Sequence, residues 1–182
     1  DIVSKWRAAN KNIVKYWKTL QSAALAAMSA PETSTKAGLI TYYFCGTHLW
    51  CCLPSKRFLC YPFARAEKFT VLTKNKLELE YDISYMSQNS ITKKFERAGI
   101  YHGILCENIC QAIARDVLAS ALVNLENKGY EVIAHVHDEI ICEVDKDFSS
   151  IDEMAKIMCD LPPWANGLPI GAEGFETIRY RK

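Results

Sequence analysis

Asp138 and Glu139 stand side by side after His137, between two apolar stretches. Tyr130–Val136 and Glu139–Val144 read as two strands joined at His137-Asp138, a hairpin with both carboxylates at its tip. Adjacent carboxylates beside apolar strands repel each other and lose hydration. A divalent cation resolves both costs, and hard carboxylate oxygens suit Mg2+ or Mn2+. Successive strand residues point to opposite faces, so Asp138 is the expected metal ligand and Glu139 its nearby support unless the tip bends. A solvated turn is the plainer alternative, since aspartate is common in hairpins. His135 and His137 offer a His-X-His zinc pair, but no third or fourth ligand stands at a matching spacing.

A second set of polar groups lies on the strongest helical pattern in the chain, about Leu105 to Asn127. Ile109, Ile113, Val117, Ala121 and Leu125 form one apolar ridge. Glu107, Gln111 and Arg115 recur every fourth residue and share one polar face. Arg115 is expected to pair with Glu107, Asp116 or another acid, or else to hold a phosphate. Asn127-Lys128-Gly129 is a helix stop, with a base in the last turn and glycine after it.

The remaining elements frame these two sets. Residues 2–30 keep a three-four apolar spacing, with Asn10 a weak point at which two helices would part. Short β-type runs follow at Leu39–Phe44, Leu49–Leu53, Phe58–Tyr61, Phe69–Leu72 and Leu77–Tyr81. They are separated by turns at Gly46, Pro54-Ser55-Lys56 and Thr73-Lys74-Asn75. Residues 84–103 read as polar and irregular, with three basic residues at Lys93, Lys94 and Arg97. Phe148–Cys159 reads as an amphipathic helix ended by Leu161-Pro162-Pro163-Trp164, and Phe175–Tyr180 as a last strand. The expected fold is α+β, with an antiparallel sheet, packed helices and a β-ribbon.

A chain of 182 residues that is 49% apolar builds one ordinary core. Its net charge of +1 argues weakly against a free-standing nucleic-acid binder, which is usually more basic. No apolar run reaches the ~18 residues of a membrane span, and no basic-then-apolar leader opens the chain, so a cytoplasmic location is expected. The eight cysteines form no Cys-X-X-Cys pair and read as reduced small hydrophobes. A cysteine/histidine metal or redox protein stays open as a rival class.

Three blocks in the second half carry a family resemblance. They are Glu107-Asn108-Ile109-Cys110-Gln111-Ala112-Ile113-Ala114-Arg115-Asp116, Gly129 through Ile140, and Leu161-Pro162-Pro163-Trp164-Ala165 with Leu168-Pro169-Ile170 and the Arg179-Tyr180-Arg181-Lys182 end. Lys5 to Asn10 with Trp17, and Leu53-Pro54-Ser55-Lys56-Arg57, extend it through the first half. In order and spacing these resemble the C-terminal portion of family A DNA polymerases (bacterial DNA polymerase I-like), particularly phage-type members. The resemblance assigns residues 1–104 to a post-fingers helix and β-ribbon region and 105–182 to a palm portion carrying motif C.

The resemblance implies DNA-directed DNA synthesis with Mg2+ or Mn2+, a DNA primer-template and deoxynucleoside triphosphates. It makes Asp138 a metal ligand, Glu139 a tuning carboxylate and His137 an orienting group. It makes Gln111 the best minor-groove contact, with Asn108, Arg115 and Arg57 as weaker DNA contacts. A glutamine suits that work because some minor-groove acceptors are common to A·T and G·C pairs. Motif A, with the partner aspartate, and motif B, with the fingers Lys and aromatic residue, are not in this sequence. They are expected from the remainder of the polymerase, without which the chain is expected to be inactive or to act as a weak DNA-binding module. His102-Gly103-Ile104-Leu105 lacks the basic residue of phage-type relatives, and Ser55-Lys56-Arg57 replaces a Ser-Gly-Arg turn.

Overall fold

The helical spacing of residues 2–30 resolves into two helices in the computed structural model, which describes residues 1–73 and 76–180. Lys74 and Asn75 of the expected Thr73-Lys74-Asn75 turn, and Arg181-Lys182, lie outside the described residues. Helix α1 (Ile2–Ala9) is capped by Asp1, which accepts from the Val3 amide at 3.2 Å. Asn10 ends it, its side-chain amide donating to the Trp6 carbonyl at 2.9 Å, and helix α2 (Lys11–Ser29) follows. A short amide side chain that bonds its own backbone competes with the helical ladder, so the break falls there.

The chain forms two compact units, Asp1–Cys110 and Gln111–Lys182. In the first, strands β1 (Ser34–Ala37), β2 (Ile40–Cys45), β3 (His48–Cys52) and β4 (Phe58–Tyr61) make an antiparallel meander in chain order. Period-two alternation buries Ile40 and Tyr42 on β2 and Leu49 and Cys51 on β3. Helix α2 packs on this sheet through Leu20, Ala23, Ala24 and Ala27, all buried. The alanines permit close approach, and the Thr35 hydroxyl reaches the Ala23 carbonyl at 2.6 Å. A fully buried leucine or isoleucine here contributes about 1.5–3 kcal/mol.

Strands β5 (Arg65–Thr73), β6 (Lys76–Gln88) and β7 (Phe95–Ile100) form a second antiparallel sheet. This corrects the reading of residues 84–103 as irregular. Pairing from Ile83↔Ile100 to Gln88↔Phe95 makes a ladder of a stretch with weak β-propensity. Asn89 shapes the connecting turn, its Oδ1 accepting from the Ile91 and Thr92 amides at 2.8 and 3.0 Å. A polar network replaces apolar alternation: Arg97 donates to Ser84 Oγ at 2.9 Å and the Phe63 carbonyl at 3.1 Å, and Ser84 donates to Glu67 at 2.6 Å. Arg97 is therefore a structural residue rather than a loop cation.

Helix α3 (His102–Asn127) starts three residues earlier than expected and enters the second unit at Gln111. There it buries Ala112, Leu118, Ala121 and Leu125. Its stop follows the sequence: Gly129 takes φ +87°, its amide bonds the Glu126 carbonyl at 3.0 Å, and the Tyr130 amide bonds the Leu125 carbonyl at 3.1 Å. This paired bonding is the Schellman arrangement, which needs a left-handed residue. Strands β8 (Glu131–Val136) and β9 (Glu139–Glu143) form a two-stranded antiparallel sheet.

Helix α4 (Ile151–Met158) begins later than the expected Phe148, because Ser150 caps it by accepting from the Glu153 amide at 3.2 Å. Phe148 instead packs edge-on against Tyr130, with ring centroids 5.1 Å apart. Pro163–Ala165 forms a 3-10 turn that buries Ala165. The expected last strand at residues 175–180 does not form; no ladder partner meets it, and Ile178 is fully exposed. Helices and antiparallel sheets occupy separate stretches of chain, so the fold is α+β as expected. Among the described residues no helix is long and apolar enough to cross a membrane.

Candidate functional site

The second unit sets His137 and Asp138 in the turn between β8 and β9, with Val136 paired to Glu139. His137 adopts φ +54°, a left-handed conformation uncommon outside glycine, though histidine is among the better tolerated exceptions. The turn thus bends the chain at the point where the two carboxylates follow each other. His137, Asp138 and Glu139 are all exposed. A β-bulge at Ile133, between the paired residues Val132 and Ala134, shifts the facing of β8. Ala134 and Val136 then share a face with Ile141 and Glu139, whereas Val132 and His135 share the other with Cys142 and Ile140. His135 and Glu139 consequently point to opposite faces.

Neighbouring groups hold the hairpin base. Glu126 of α3 accepts from the Val132 amide at 3.0 Å. Burial pushes the Cys142 thiol up, and Glu126 adds to the effect. Tyr130 bonds Ser149 through their hydroxyls, and Ser149 donates to Glu153 at 2.9 Å, tying β8 to the start of α4. Asn124 donates to the Asp160 carbonyl at 3.1 Å, tying α3 to its end. The tip carries acid while its stem is incompletely covered: Ile133 is 53% and Val144 44% exposed.

Asp138 and Glu139 supply the hard oxygens that Mg2+ prefers, and that ion commonly takes one or two carboxylates and completes its shell with water and substrate phosphates. The pair fits one arm of such a site. Among the described residues no three His, Cys, Asp or Glu side chains gather to hold a metal. Further ligands for Asp138, like a zinc set around His135 and His137, are therefore not supplied by these residues.

Glu107, Gln111 and Arg115 lie exposed along α3, Gln111 and Arg115 within the second unit. In the first unit, Asn108 is half-buried and donates to the Tyr61 hydroxyl at 3.4 Å, a structural engagement on a buried phenol. Arg57 is exposed at the β3–β4 turn, where Lys56 takes φ +71° and the Leu53 amide bonds the Arg57 carbonyl at 2.9 Å. The fold thus assembles His137, Asp138 and Glu139 at one tip and Gln111 and Arg115 on one helix face. It commits Asn108 to Tyr61.

Sequence reading passed over the basic face of α1 and α2, built by Arg7, Lys11, Lys15 and Lys18. Its signal was a run of cations at helical spacing with no acid among them.

Over all 182 residues the chain is 36% identical to a "DNA polymerase" of Bacillus phage SP02. It spans 27% of that protein's length. No family model matches the chain, and no solved structure matches it significantly.

Proposed function

We propose that this chain is the motif C portion of a template-directed DNA polymerase of family A, working together with further polymerase sequence that supplies motifs A and B. One observation carries the reading: the exposed His137-Asp138-Glu139 hairpin tip lies in a stretch similar throughout to a phage DNA polymerase. Palm-type architecture, the C-terminal position and a cytoplasmic site of action belong to the same proposal.

In this reading Asp138 points its carboxylate at the reacting phosphoryl group, and Glu139 adjusts the local charge from the first position of β9. When bound there, Mg2+ or Mn2+ supplies electrostatic stabilisation for phosphoryl transfer from a deoxynucleoside triphosphate. The His137 imidazole orients the primer terminus. Gln111, exposed on α3, donates to minor-groove acceptors of the primer-template irrespective of sequence, and the exposed Arg115 takes a backbone phosphate. Catalysis here is positioning and electrostatics, which a rigid hairpin provides better than a loop.

The test is a chimera in which these residues replace the matched segment of the phage SP02 polymerase. Primer extension by the chimera is expected, with a loss of at least about 100-fold on Asp138→Ala. Gln111→Ala should cost roughly 5- to 100-fold, the worth of one good polar base contact. The 182 residues alone should not extend a primer. A folded, DNA-binding chimera equally active with and without Asp138→Ala sinks the catalytic assignment and leaves a salt-sensitive DNA-binding module.

A further inference from the structure

Helix α3 carries two thiols one turn apart, Cys106 and Cys110, and both belong to the first unit. Their sulfurs are 4.0 Å apart, with Cys106 half-buried and Cys110 exposed. A disulfide is not the natural use of this pair. Residues four apart on a helix hold their Cβ atoms about 5–6 Å apart. A disulfide needs about 3.5–4.5 Å there and about 2.05 Å between the sulfurs, so closing one would break the helical turn.

Two sulfurs that cannot close on each other can close on an ion. Metal–thiolate bonds of about 2.3 Å let two sulfurs stand at most ~4.6 Å apart, and 4.0 Å falls inside that span. Zn2+ asks for four ligands, and among the described residues no third His, Cys, Asp or Glu joins the pair. His102 begins the same helix about 12 Å from Cys110 along the axis, beyond the reach of one shared ion. Two thiolates alone suit a soft cation of low coordination number, Cu(I) foremost. The Trp17 indole hydrogen-bonds the Cys106 thiol, and the Tyr16 phenol lies near both sulfurs. These rings cover the inner side of the pair, while Cys110 leaves its outer side open.

We propose that Cys106 and Cys110 form a dithiolate site for a soft monovalent cation, Cu(I), held between adjacent turns of α3. Each sulfur gives its proton to solvent and a lone pair to the ion, so two S–Cu bonds replace two S–H bonds with no change of oxidation state. The ion enters past the exposed Cys110 and rests beside Trp17. Once bound it clamps two turns of the helix together. The site stands whether or not the polymerase reading does.

Anaerobic titration of the reduced 182-residue chain with Cu(I), against a chromophoric Cu(I) chelator, tests this. One equivalent should bind more tightly than the rest and quench tryptophan fluorescence. Cys110→Ser should weaken that equivalent by at least about 100-fold, since even outer-shell changes cost a metal site roughly 10- to 100-fold. Cys60→Ser removes an exposed thiol elsewhere and should leave it unchanged. Trp17→Phe should keep the equivalent and lose most of the quenching. Serine at the exposed Cys110 should leave the circular dichroism as it is in the parent. A tightest equivalent that survives Cys110→Ser overturns the proposal, as does a parent chain that holds Cu(I) no better than Cys106→Ser/Cys110→Ser. A Cys106–Cys110 disulfide, found by peptide mapping after air oxidation, refutes the geometry behind it.

Discussion

Substitution of His137 probes the hairpin tip most directly, because its backbone conformation there discriminates among side chains. A non-glycine residue at φ +54° bears a steric cost of roughly 1–2 kcal/mol, at the lower end for histidine and at the upper end for a β-branched residue. His137→Gly removes that cost but adds about 0.5–1 kcal/mol of chain entropy, leaving the hairpin within about 1 kcal/mol of the parent. His137→Val keeps the conformation and adds a branched Cβ, which should destabilise the tip by about 1–2 kcal/mol, a 5- to 30-fold increase in local opening. The two-stranded sheet opens locally, so amide hydrogen exchange of β8 and β9 reads the difference where a global melt would dilute it. Expected protection in His137→Gly is near that of the parent, with His137→Val lowest. Equal protection in His137→Val refutes the argument that left-handed geometry governs this tip. In the chimera, His137→Gly separates geometry from chemistry: a folded hairpin with slowed primer extension assigns the loss to the imidazole.

Three further outcomes follow from the first unit. Tyr42 is fully buried and its hydroxyl meets only the weak acceptor of the Cys51 thiol, so Tyr42→Phe should stabilise the chain by up to about 1 kcal/mol in urea denaturation; a loss of stability counts against it. Lys56→Gly relieves the left-handed residue of the β3–β4 turn and should raise stability by about 0.5–1 kcal/mol, whereas an unchanged or lowered urea midpoint shows no strain there. Burial pushes the Cys51 thiol from 9.0 up to about 12, so its contribution is intact below pH 9 and is lost as pH rises from 9 to 12. Cys51→Ala should flatten the decline in stability across that window, and a decline of undiminished slope would place the effect elsewhere.

Features encoded within a few residues were legible in the sequence. The Asn10 break, the Gly129 stop and the His137-Asp138 turn each depend on one residue's conformational or bonding preference, and each stands where that preference put it. Pairings distant in sequence were not. Strand β7 exists because its register with β6 supplies a ladder, which Glu96, Arg97 and Gly99 do not announce. Arg97 looked like a loop cation because its acceptors, Ser84 and the Phe63 carbonyl, are far along the chain. The hold of Tyr61 on Asn108 was hidden for the same reason. Conversely, Phe175–Tyr180 has the composition of a strand and joins no ladder among the described residues. The tip carboxylates were readable from type and adjacency; their chemical setting depends on ligands these residues do not provide.

The register of β8 and β9 sets Glu131 directly opposite Glu143. Like charges so placed weaken the hairpin by roughly 0.2–1 kcal/mol. The same carboxylates matter for colloidal behaviour, since a short two-stranded sheet presents unpaired backbone edges that another chain can extend. Copies approaching edge to edge meet acid at the hairpin's base and at its Asp138-Glu139 tip before their amides come within reach. What weakens the hairpin within one molecule guards against fibre growth between many.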